Sequence, residues 1–180
     1  MKRHRAFELT TPVDSVDHVV GLADAAVTVV EYGDFECPNC KQAAPAVKLL
    51  LNRFTDRIRF VYRHFPLEGV HPHAMQAAET AESAGAQGRF WSMHDLLYEN
   101  QAHLKLHQLR GYAERLRLDM ARYTFEMDDH VYQQRVREHM QSGSESGVRS
   151  TPTFFVNGRL QDVSFGLAVL FDAVEAVLSK

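Results

Sequence analysis

Two cysteines, Cys37 and Cys40, stand three positions apart in a chain of 180 residues that contains no others. They fall where an apolar, β-branched run gives way to a helical pattern. Val27-Thr28-Val29-Val30-Glu31-Tyr32, closed by Gly33-Asp34, reads as a buried strand. Pro38 suits a first helical turn because it has no N–H to leave unpaired there. Ala43, Ala44, Val47, Leu50, Leu51 and Phe54 then recur on one helical face, with Pro45 predicting a kink. This places Cys37 at a helix N-terminus and Cys40 one turn inside, close enough to bridge, since a disulfide needs Cα atoms about 4.4–6.8 Å apart. The unpaired N–H groups and the positive end of the helix dipole stabilise a thiolate at Cys37, each unit of lowered pKa being worth ~1.4 kcal/mol. Cys37 is therefore the nucleophile. Cys40, deeper and less ionised, resolves the mixed disulfide.

Two cysteines in a chain of this length exclude the small secreted scaffold that replaces a core with several bridges. With 45% hydrophobic residues, 11 Phe and 6 Tyr, the chain builds a core of its own, as one domain or one domain with an insertion. A formal net charge of −3 favours neither nucleic acid nor an anionic membrane as partner. No apolar run approaches the ~20 residues that cross a bilayer. The basic start Met1-Lys2-Arg3-His4-Arg5 has no apolar stretch after it, so export is not expected and the expected compartment is the cytoplasm, or the periplasm had a leader been removed.

Residues 1–26 show little periodicity and read as an N-terminal extension without an assignable role. Ile58-Arg59-Phe60-Val61-Tyr62-Arg63-His64-Phe65 alternates as a second strand, separated from the first by the helix a βαβ unit needs. Residues 66–147 turn helical: Ala74, Ala77, Ala78 and Ala81 mark one helix, Trp91, Leu96 and Leu97 a second, Leu106, Leu109, Ala113 and Leu116 a third. Residues 129–146 are strongly polar and end in Gln141-Ser142-Gly143-Ser144-Glu145-Ser146-Gly147, a composition that reads as a linker. Thr153-Phe154-Phe155-Val156 returns to strand, Asn157-Gly158 signals a hairpin, Arg159-Leu160 begins its partner, and an amphipathic helix carrying Leu167, Leu170, Phe171, Val174 and Leu178 closes the chain.

The cysteine pair could alternatively be half of a zinc site, which would need two more ligands, and His71 and His73 are the compact candidates. Two partly exposed histidines ahead of a helix is the plainer reading of that segment, and no metal is expected. Phe35 reads as packing beside the cysteines, Phe90 and Trp91 as core of the helical block. His94, His103 and His107 show no ligand spacing.

Strand, Cys-x-x-Cys, helix and then a Thr-Pro dipeptide directly before a strand together resemble the thioredoxin superfamily, and the helical insertion resembles its DsbA-like branch. The likeness spans about residues 25–180 and is carried by two segments, residues 29–40 and residues 147–158. It implies an α/β thioredoxin-like fold with a helical insertion: a core from residues 27–65 and 148–180, an insertion at 66–147, and the extension at 1–26. It also implies that residues 129–146 continue as helix, with Gly147 past its end. By the resemblance Pro152 follows a cis peptide bond and faces the sulfurs, where Thr151 presents backbone to an incoming polypeptide. Taken alone, Pro152 would be an ordinary trans proline opening an edge strand. Glu31, six residues before Cys37, matches a buried acid that accepts or relays the proton of Cys40; a solvent-facing Glu is the alternative. Pro38 and Asn39, between the cysteines, join Thr151 and Pro152 on the substrate side. Asn39 departs from the branch's strongly oxidising members, which resemblance would give a histidine there. An uncharged donor stabilises the thiolate less, and ~30 mV accompanies each ~1.4 kcal/mol, so the direction of electron flow is not inherited.

The resemblance implies a thiol-disulfide oxidoreductase acting on disulfide- or thiol-containing proteins or small molecules. It needs no cofactor beyond a redox-active Cys37–Cys40 disulfide, and a thioredoxin- or glutathione-type system would recycle it. Two other readings stand beside it: a kappa-type glutathione transferase or isomerase, which generally keeps a single Ser or Cys, and a redox-responsive module that binds peptide or metal.

Overall fold

The structure, a computed structural model, describes residues 7–180; the basic start at residues 1–5 lies outside the described residues. Its strands are β1 (His18–Gly21), β2 (Val27–Gly33), β3 (Ile58–His64), β4 (Thr153–Val156) and β5 (Arg159–Gln161). Its helices are α1 (Pro38–Arg53), α2 (Ala74–Gly85), α3 (Phe90–Glu99), α4 (Leu106–Arg115), α5 (Met120–Asp128), α6 (Gln133–Glu145) and α7 (Ala168–Leu178). One sheet runs β1-β3-β2-β4-β5, with β2 and β3 parallel and the other pairs antiparallel. The parallel pair requires a crossover, and α1 supplies it. Pro45 sits inside an unbroken α1.

Strand parity divides the core. Val27 and Val29 share one face of the sheet with Phe60, Tyr62, Phe154 and Val156, covered by α1, α7 and the helical block. Val30, Tyr32, Val61 and Phe155 share the other, covered by Leu9, Val13, Val148 and Met140. Glu31 falls on the first face, in register with Tyr62 on one side and Phe154 on the other, so the pleat turns a carboxyl into the core beneath α1.

Two expectations are revised. The extension is not featureless: β1 is an edge strand antiparallel to β3, and Trp91 Nε1 donates to the Val19 carbonyl at 3.3 Å. Arg63 ties the preceding segment down by donating to the carbonyls of Thr11 and Pro12 and to the Asp17 carboxylate. The polar stretch read from composition as a linker is helix α6 from Gln133 to Glu145, as the resemblance implied for that part, while residues 129–132 are turns; Gly147 follows at φ +89°. Its small residues are the buried face: Ser142 Oγ meets the Tyr32 hydroxyl at 2.8 Å, and a Cβ on Gly143 would come within 2.8 Å of the Phe65 ring. Helix α5 is capped by Asp119, whose carboxylate accepts from the Arg122 N–H at 3.1 Å. At the hairpin, Asn157 and Gly158 take φ +44° and +80°, the left-handed pair that a two-residue loop of this kind requires.

Candidate active site

Helix α1 begins on Cys37, an N-cap with extended backbone (φ −77°, ψ 120°), and Pro38 occupies the first turn. The Cys37 carbonyl accepts from the N–H groups of Cys40 (3.1 Å) and Lys41 (3.2 Å). Both thiols are free and buried, Cys37 at 5% exposure and Cys40 at 0%. Facing them is the loop before β4. The peptide between Thr151 and Pro152 is cis, and the Cys37 thiol donates to the Thr151 carbonyl at 3.3 Å. Residues 114 positions apart thus meet at one sulfur.

The two thiols are driven apart in acidity. The Cys37 pKa falls to about 5: a hydrogen bond from the Cys40 thiol favours its thiolate most, burial opposes it, and Thr151 and the N–H groups of Cys40 and Asn39 add to the stabilisation. The Thr151 hydroxyl is buried and has no other hydrogen-bond partner among the described residues, which leaves it available to an anionic sulfur. Cys40 is pushed well up by burial, then by donating to Cys37 and by the charge of Glu31. Glu31, buried at 3% exposure, has its pKa raised to about 8 by burial and secondarily by the Cys37 charge. It borders a cavity of about 140 Å³ that also touches Lys48, Trp91, His94 and Asp95.

Pro38 and Asn39 are exposed. Asn39, Gln42, Ser150, Thr151, Pro152 and Leu167 line a cleft of about 570 Å³ alongside the sulfurs, with Phe165 at 95% exposure between two of its lining residues. The structure therefore brings Cys37, Cys40, Thr151, Pro152 and Asn39 to one surface and Glu31 beneath it.

His71 and His73 do not face the cysteines as ligands. His71 Nδ1 meets Asp34 at 2.7 Å and His73 Nδ1 meets Glu36 at 2.9 Å. Gln101, which no motif marks, donates its amide to the carbonyls of Phe35 and Cys37, each at 2.9 Å. Phe35 packs between Tyr62 (5.2 Å) and Tyr98 (5.0 Å). Among the described residues, one group of three has ligand atoms within 4.8 Å of one another: His64, Glu82 and His139. The Glu82 carboxylate there is already taken by His18, His64 and Arg135, and a guanidinium at the carboxylate opposes a cation.

A strand–loop–helix dithiol opposite a Thr-Pro turn, with five helices inserted between β3 and β4, defines a thioredoxin-type dithiol protein. A family model described as "Thioredoxin" matches residues 14–175, and the chain belongs to that family. Solved structures with a similar fold include DsbA proteins, among them alpha-DsbA1 from Wolbachia pipientis and DsbA2 from Pseudomonas aeruginosa. BdbD from Bacillus subtilis superposes with a TM-score of 0.82 at 22% identity, covering 91% of this chain and 94% of that one. A thioredoxin-like oxidoreductase from Silicibacter pomeroyi gives 0.81 at 26% identity, covering 93% and 95%. Among curated proteins, the Na(+)/H(+) antiporter NhaA 1 of Salinispora arenicola is 51% identical over 173 residues, covering 96% of this chain and 26% of that protein. NhaA 3 of Salinispora tropica is 48% identical over 174 residues, again covering 96% and 26%. The chain spans about a quarter of the length of these curated relatives. No helix among the described residues is long and apolar enough to cross a membrane.

Proposed function

We propose that this chain exchanges dithiol for disulfide with protein or small-molecule substrates through Cys37 and Cys40. The Cys37 thiolate attacks one sulfur of a substrate disulfide; that S–S bond breaks, the other substrate sulfur leaves as thiolate, and a mixed disulfide forms. Cys40 gives its proton to the ionised form of Glu31 and attacks the Cys37 sulfur; the second substrate sulfur leaves as thiolate, takes up a proton, and the Cys37–Cys40 bridge closes. Two electrons pass to the substrate, and a thioredoxin-type dithiol, or two glutathione thiols that leave as their disulfide, restores the starting state. Run backwards, the same steps oxidise a substrate dithiol. No cofactor enters.

One observation carries this reading: the Cys37 thiol at the mouth of α1 lies 3.3 Å from the Thr151 carbonyl at the cis Thr151–Pro152 peptide, with Cys40 buried one turn inside the helix, where Cys37 is drawn down to about 5 and Cys40 pushed well up. Such a split separates attacker from resolver. The exposed Pro38 and Asn39 and the cleft beside Thr151 and Pro152 supply room for an extended peptide. Retention of both cysteines argues against the kappa-type transferase, and the His71 and His73 pairings argue against a zinc module. The antiport named for the curated relatives is not carried to this chain, which matches only a quarter of them.

Insulin reduction by the wild type and by Cys37→Ser tests the mechanism, and equal rates would eliminate it. The reduction potential of the pair against glutathione decides direction. A low potential fits a reductase or isomerase in the cytoplasm; a high one fits an oxidant in a periplasm, the compartment named for a structural likeness from Salmonella enterica.

A further inference from the structure

The loop that leads into the nucleophile, residues 34–37, is held by the helical block from two sides. On one side Asp34, buried, accepts through Oδ2 from the Leu67 N–H (2.8 Å) and His71 Nδ1 (2.7 Å), and through Oδ1 from the Glu36 N–H (2.8 Å). Both oxygens of the next carboxylate are occupied by His73, Glu36 Oε2 by its backbone N–H (2.7 Å) and Oε1 by its Nδ1 (2.9 Å). On the other side the Gln101 amide bridges the carbonyls of Phe35 and Cys37, both at 2.9 Å. Leu67, His71, His73 and Gln101 all belong to the segment between β3 and β4.

Building on the exchange reading of Cys37, we propose that Gln101 and His73 are positioning residues that set how readily the Cys37 sulfur ionises. The carbonyl gripped by Gln101 is also the acceptor for the first turn of α1. Fixing that peptide fixes the direction in which the helix mouth's N–H groups point, and a thiolate is stabilised only by donors aimed at it. Glu36 is the residue immediately before the nucleophile. A carboxylate left loose there competes for those donors and repels the thiolate. His73 draws it instead to the start of α2, where a helix N-terminus favours negative charge. The other groups bearing on the sulfur, Cys40, Thr151, the Asn39 backbone and the buried Glu31 beneath, do not depend on either residue for a hydrogen bond.

The thiolate absorbance of the reduced protein, followed against pH, tests this without any substrate. Gln101→Glu and His73→Ala should each raise the Cys37 midpoint so that the ionised fraction below it falls about threefold or more. His73→Asn, whose amide donates in place of Nδ1, should titrate as wild type. Glu36→Gln combined with His73→Ala should cancel the His73 effect, because the loose charge is gone. Thermal melts establish that each variant is folded, and Gln101→Met replaces Gln101→Glu if the latter is not. Wild-type titration in folded Gln101 and His73→Ala variants overturns the proposal, and so does a His73→Ala shift that survives Glu36→Gln. A wild type inactive toward insulin would instead remove the exchange reading and leave this titration standing on its own.

Discussion

Arg63 of β3 grips Asp17 with two hydrogen bonds, Nε to Oδ1 at 2.9 Å and Nη2 to Oδ2 at 2.7 Å, and both side chains are 3% exposed. Burial alone would push the Asp17 carboxyl up, but the guanidinium's hydrogen bonds and charge outweigh it and hold the pKa below its usual value. Breaking a buried pair by removing one partner leaves a charge stranded, at a cost of about 3–5 kcal/mol.

Asp17→Ala should therefore lower unfolding free energy by about that much in urea titrations at neutral pH. In the wild type the carboxylate's contribution is complete above the ordinary aspartate pKa and fades as pH falls through the lowered one. The penalty for the variant should shrink in the same acid window; a pH-independent penalty would contradict the ion-pair account.

Alkylation of the reduced protein by iodoacetamide should rise with pH to a plateau, with a midpoint at about 5 for Cys37. Removing the Cys40 thiol deletes the largest stabilising contact, so Cys40→Ala should move that midpoint upward by roughly one unit or more, ~1.4 kcal/mol per unit. A midpoint unchanged in Cys40→Ala would mean that the helix mouth and Thr151 act alone.

Glu31→Gln keeps the shape of the buried side chain and removes its capacity to take a proton. Decay of a preformed Cys37 mixed disulfide should slow roughly 10²-fold, the low end for a lost general base. Stability gives a second check. The wild-type carboxyl has its pKa raised from 4.5 to about 8, so between those values the folded chain holds a proton that the unfolded chain has lost. Stability must then fall as pH rises through that window. In Glu31→Gln this contribution to the slope should vanish, and equal slopes would place the acid in water.

Gly143→Val should cost about 1–3 kcal/mol through overpacking. A Cβ there meets the Phe65 ring at 2.8 Å and the Tyr32 ring at 3.0 Å. Hydrogen exchange should show loosening of α6 and of the sheet face beneath it, with the Cys37 titration unchanged.

The βαβ start, the cysteine positions and the β4–β5 hairpin are legible because each rests on local chemistry: β-branched alternation, a proline in a first turn, a left-handed Asn-Gly. Glu31's burial follows from counting by two along β2 once Val27 and Val29 are placed inside. Helix α6 defeats composition because Ser142, Gly143 and Ser146 are small and polar for the sake of close approach, a use that resembles a linker until the facing Tyr32, Phe65 and Thr10 are in view. Strand β1 is four residues long and earns its place through partners far along the chain, Tyr62, Glu82 and Trp91. Gln101 carries no signal at all. A single side-chain amide in a turn becomes meaningful only when two carbonyls of residues 35 and 37 lie under it.

Strands β2 and β4 are neighbours in space, yet residues 34–152 are threaded between them. Closing so long an excursion is slow in general, and here it has a chemical side. A ribosome that has released the chain only as far as about residue 100 has already made both cysteines but not the Thr151 carbonyl and hydroxyl that sit against them. A half-made chain thus exposes a dithiol lacking its counterpart, and the sulfur acquires its mature environment only when the last strands dock.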